Sequence, residues 1–112
     1  MFGSKQEKIE KMVKKNDWTK LNKECSRADA KTRVMIAKAC AASNEDGSFN
    51  LLSILIRDAD EQVQREAIRS LGETGNDHAT AELQWIMTKI PEGNKETLKV
   101  AHDALEQVRQ RK

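Results

Sequence analysis

In the middle of the chain, apolar residues recur at three- and four-residue steps: Val63, Ala67, Ile68 and Leu71 follow Asp60, and the pattern stops at Gly72 and Gly75. That period puts one stripe on a single helical face, with Asp60 as the N-cap and the glycines as the stop. Directly upstream, Phe49, Leu51, Leu52, Leu55 and Ile56 form a shorter, more apolar helix ending near Arg57 and Asp58. Together the two segments predict a helical hairpin with a very short turn.

The hairpin pattern recurs. A shift of 31 residues toward the N-terminus sets Asp29, Thr32, Ile36, Ala37 and Cys40 where Asp60, Val63, Ala67, Ile68 and Leu71 stand, and Leu21 under Leu52. A forward shift of 31 sets Leu83, Ile86 and Met87 at Leu52, Leu55 and Ile56. A shift of 34 sets Asn94, Thr97, Ala101 and Leu105 at Asp60, Val63, Ala67 and Leu71, with the extra residues in the loop Pro91, Glu92, Gly93. A hairpin cannot bury its own stripe alone, so a period near 31 with two helices per unit predicts stacked hairpins, an α-solenoid. Residues 5–15, with Ile9, Met12 and Val13 on one side and lysines around the rest, predict a helix capping the first hairpin. The expected organisation is one all-α domain over 1–112: a capping helix at 5–15 and repeats at 17–46, 47–76 and 77–112. The C-terminal run Glu106, Gln107, Arg109, Gln110, Arg111 and Lys112 supplies a polar outer face for the last repeat.

The run Asp58 to Gly75, DADEQVQREAIRSLGETG, resembles the second helix of a HEAT repeat: an acidic turn, a valine, a small residue in mid-helix, then Leu-Gly. The first and third copies depart from it, with Thr32 and Thr97 for the valine and Cys40-Ala41 and Leu105-Glu106 for Leu-Gly. The resemblance covers roughly residues 17–110 and implies a short α-α superhelix of about three hairpins. It also implies a protein-interaction or scaffold role.

Composition agrees with helices. The chain is 38% hydrophobic and 34% charged, with one proline and two residues each of Phe and Trp, which argues against a sheet. Charges interrupt the first 20 residues, nothing there resembles a secretion signal, and Cys25 and Cys40 lack a CxxC spacing. A cytoplasmic protein with reduced, packed cysteines and no membrane contact is expected. The net charge is +2, yet residues 1–33 hold ten bases and five acids whereas 44–82 hold three bases and nine acids. That asymmetry bears on partners rather than on fold.

Little in the sequence points to catalysis. His78, after Asp77, reads as a solvated first-turn residue, and His102, in the stripe of the last repeat, as a partly buried, hydrogen-bonded one. Cys25 and Cys40 fall at the repeat positions of Ile56 and Leu71, which predicts packing, and Asp58, Asp60 and Glu61 read as turn and capping acids. Phosphate-loop, dinucleotide and zinc-protease signatures are missing, and neither a cofactor nor a metal is expected. The alternative activities are those of families that resemble HEAT arrays, bilin lyases and helical-repeat glycosylases of alkylated bases. Both use longer arrays.

Binding is the better supported expectation. The resemblance puts the second helices on the concave side, where Lys38, Arg65, Arg69 and Lys99 form a mild basic stripe for a protein or peptide partner. Trp85 lies about 200° around its helix from Leu83, off the stripe, which predicts partial exposure, either as a second candidate anchor or as a ring packed edge-on against a loop. Trp18 is expected to pack against the capping helix. Nucleic-acid binding through the basic N-terminal third is the competing reading, weakened by the acidic middle and the lack of interleaved aromatics. End-to-end self-association is compatible with the same pattern.

Overall fold

A computed structural model describes residues 4–75 and 77–111. Among these are seven α-helices: α1 (Lys5–Lys14), α2 (Trp18–Arg27), α3 (Ala30–Ala39), α4 (Asp46–Leu55), α5 (Glu61–Thr74), α6 (Asp77–Lys89) and α7 (Lys95–Gln110). A 3-10 turn at Cys40–Ala42 follows α3. No described helix is long and apolar enough to cross a membrane. Lys112 of the expected outer face and Asn76 at the expected end of the second repeat lie outside the described residues.

The starts of the second helices follow from side-chain capping. Asp29, Asp60 and Asn94 each accept a hydrogen bond from a first-turn amide, of Thr32 at 2.9 Å, of Gln62 and Val63 at 2.9 and 3.1 Å, and of Thr97 at 3.3 Å. Each cap satisfies a donor that has no partner within its helix, worth about 1 kcal/mol. Ser4 starts α1 in a reciprocal capping box with Glu7. Asn16, at φ 57°, turns the chain from α1 into α2, a left-handed conformation that asparagine tolerates.

The hairpins α2–α3, α4–α5 and α6–α7 stack in order, and α3, α5 and α7 pack side by side. Helix α1 packs on α3 as well as on α2, and so takes the position of a second helix ahead of the first hairpin. The cap is therefore half a hairpin. Between the layers Leu21, Ile36, Leu52, Ile56, Val63, Ile68, Leu71 and Leu83 are fully buried, each large aliphatic contributing about 2 kcal/mol. Cys25 and Cys40 are free and buried in this core, as their repeat positions predict.

Polar joints tie hairpin to hairpin. Arg33 of α3 donates through Nε and a terminal nitrogen to both oxygens of Asp58, at 2.8 and 3.2 Å, and its other terminal nitrogen donates to the Ala28 carbonyl at 2.7 Å. Asp58 also accepts the Asp60 amide, so a turn acid is at the same time a strut between hairpins. The buried hydroxyls of Ser48 and Ser70 donate to the carbonyls of Cys40 and Ala37, both at 2.7 Å. Between α5 and α7 the backbones approach closely at Gly72, where a Cβ would lie 2.8 Å from Cα and Cβ of Ala104. The Leu-Gly step thus has a packing reason.

The departures from the repeat pattern also have a physical role. Thr32 accepts a hydrogen bond from Lys5 of α1 at 3.2 Å, and Thr97 accepts one from Arg65 of α5 at 3.3 Å. A hydroxyl replaces the valine where a cation reaches over from the neighbouring helix of the same layer, α1 to α3 and α5 to α7. Trp18 lays its ring over Gly47 of α4, where no Cβ would fit. One expectation needs correction. His102 is exposed rather than partly buried: the equivalent Ile68 lies inside the array, whereas no described helix packs on the far side of α7.

Candidate interaction surfaces

The four cations expected to form one stripe are divided by the fold. Lys38 lies in a groove of about 770 Å3 between α1 and α3, with Glu10, Lys14 and Met35. Arg69 and Lys99 lie in a separate groove of about 420 Å3 between α5 and α7, beside Glu73, Glu96 and Asp103. Arg65 belongs to the fold. Its side chain is 16% exposed and reaches Glu96 at 3.8 Å and Glu61 at 4.0 Å, in addition to Thr97.

The remaining cations of this face differ in freedom. Arg69 pairs with Glu66 at 3.0 Å and Lys99 with Asp103 at 2.9 Å, both within one helix and both exposed enough to exchange partners. Lys38 is exposed and has no ion-pair partner among the described residues.

On the other face, Trp85 is 39% exposed and Ile54 60%, and these are the exposed large hydrophobic side chains of the described residues. Arg57 stands over Trp85, its guanidinium carbon 4.1 Å from the centroid of the ring. Glu82 of α6 holds the same guanidinium at 3.4 Å, Arg57 also donates to the Ser53 carbonyl, and Lys89 approaches the ring to 5.6 Å. The ring is thus oriented before any partner arrives. Ile54 and Trp85 are 31 residues apart, the repeat spacing, so the period carried a signal for Ile54 that the stripe alone did not.

Neither thiol is positioned as a nucleophile. Burial pushes Cys40 up to about 12, and it also raises Cys25 above its ordinary value. His78 is exposed on α6, with its ring 5.7 Å from that of Phe49, and His102 is exposed on α7.

Stacked helical hairpins with side-chain pairs bridging each joint define a helical-repeat array, a class of protein built around its surface. The family model for HEAT repeats matches residues 19–96, from α2 into the first turn of α7, and the chain belongs to the HEAT-repeat family. Helix α1 lies outside the matched residues. No curated protein and no solved structure matches the chain. HEAT repeats generally mediate protein–protein interaction and are typically non-enzymatic.

Proposed function

We propose that this chain is a non-enzymatic interaction module that holds another protein against the Trp85 patch of its first-helix face. The observation that carries the reading is the partly exposed Trp85 ring held in one orientation by Arg57, with Ile54 exposed at the equivalent position one repeat earlier. An ordered tryptophan loses little conformational entropy on binding, and tryptophan and arginine are enriched among the residues that dominate interface energetics. Lys38, Arg69 and Lys99 on the second-helix face are the accessory contacts, while Arg65 is reserved for the joint to α7. The free, buried thiols support a reducing, cytoplasmic setting.

The test is affinity capture from native extract with the intact chain, with Trp85→Ala and with Arg69→Glu/Lys99→Glu. The reading expects a discrete, stoichiometric protein that Trp85→Ala loses and that the charge variant retains in part. Capture unchanged by Trp85→Ala contradicts it. Arg65 is left intact because its reversal would perturb folding and binding together.

A further inference from the structure

A further groove lies away from both surfaces. It has a volume of about 860 Å3 and runs between α1 and α2 at the N-terminal end of the array, with Thr32 and Ile36 of α3 also lining it. Its walls carry Lys8, Lys11, Lys15, Lys20 and Arg27, and Ile9, Met12 and Ile36 reach its floor. Asp17, Glu24 and Asp29 offset part of this charge, although Asp29 is already engaged as the cap of α3. Among the described residues every ion pair begins at Arg33 or beyond, so none of those five bases has a carboxylate partner.

The fold itself indicates the shape of what belongs there. Helix α2 packs on its own second helix, α3, and on the next first helix, α4. Helix α1 takes a second-helix position, and α2 is the next first helix, but no described helix lies across the two. The groove lies where the repeat geometry would seat a first helix, along α1 and α2. An occupant must therefore be helical, with an apolar stripe facing Met12, and the unpaired lysines and arginine on both walls require acidic flanks.

We propose that this groove binds an acidic amphipathic helix of a partner protein, which completes the half-hairpin begun by α1. The surface is distinct from the Trp85 patch, so the two readings stand or fall separately. Phosphate-backbone binding fits the walls less well, because the acids interleave with the bases and the floor is aliphatic rather than aromatic.

The probe is a fluorescein-labelled synthetic helix with leucines at i, i+3, i+4 and i+7 steps and glutamates on its other faces, titrated with the intact chain by fluorescence anisotropy. The inference expects saturable binding that weakens with salt and falls about tenfold on charge reversal in Lys8→Glu/Lys11→Glu. Lys20→Glu/Arg27→Glu repeats the test from the α2 wall, should the α1 variant fail to fold. Lys95→Glu/Arg109→Glu, the same charge change at the far end, should leave the affinity within about twofold, a difference of the size that screened, distant charges make. No binding at low salt overturns the proposal, as does equal binding of a peptide of the same composition with its leucines dispersed. A single-stranded oligonucleotide that displaces the peptide and binds more tightly would make the groove a nucleic-acid seat instead. Concentration-dependent dimerisation abolished by Lys8→Glu/Lys11→Glu would make the occupant a second copy.

Discussion

The joints in the middle of the array and the open N-terminal end use the same residue types for opposite purposes. In the middle, Arg33 holds Asp58, Arg65 reaches Glu96 and Thr97, and Asn94 donates to Glu61 at 2.6 Å, each pair crossing from one hairpin to the next. At the end, Lys8, Lys11, Lys15 and Lys20 surround a groove and pair with no described carboxylate. A charge facing a neighbouring hairpin becomes part of the fold, whereas one at an uncovered end remains available to a partner. Substitutions in the two regions should therefore separate cleanly, with stability lost in the middle and only binding lost at the end.

The largest effect is expected at Gly72. In Gly72→Val the new side chain meets the backbone of Ala104, and α5 and α7 must part, with a loss of about 3 kcal/mol in urea unfolding. Asp58→Ala should follow at about 2 kcal/mol, because Arg33 keeps its charge at a side-chain exposure of 26% with no carboxylate to meet it. Arg33→Met in the Asp58→Ala background should recover part of that loss by removing the orphaned charge. Losses within about 0.5 kcal/mol at both sites would remove the distinction between joint and surface.

The buried thiols offer a check in alkali. The folded state raises Cys40 from its ordinary 9.0 to about 12, so its contribution to stability is fully present below 9.0 and is lost as pH rises through about 12. Unfolding free energy should decline across that window, with a gentler decline in Cys40→Ala. At neutral pH a thiol-specific reagent should modify the native chain only as fast as it opens, and rapid native labelling would contradict the packing of both cysteines. The smallest stability change belongs to the open end: Lys8→Glu/Lys11→Glu should stay within about 0.5 kcal/mol of the parent chain.

The helical faces were legible in the sequence because a period depends only on which residues are apolar. Val63, Ala67, Ile68 and Leu71 mark a buried face, and the caps Asp29, Asp60 and Asn94 recur with it. The joints were not legible to the same degree. Arg33 and Asp58 are 25 residues apart and meet only because α3 lies beside the turn before α5. The expected stripe of Lys38, Arg65, Arg69 and Lys99 separated into two grooves and a strut for the same reason. Register places the Cα of an arginine, but its long side chain turns toward whichever carboxylate or hydroxyl the next hairpin presents. Likewise His102 sits in the stripe by register and is exposed because nothing described covers α7.

The most direct test of the division between joint and open end is a proton–nitrogen NMR titration of the intact chain with the acidic helical peptide. Shift changes concentrated at Lys8, Met12, Lys20 and Arg27, with the amides around Arg65, Gly72 and Thr97 unmoved, are the predicted result. Changes centred on α5 and α7, with α1 and α2 silent, would contradict the account.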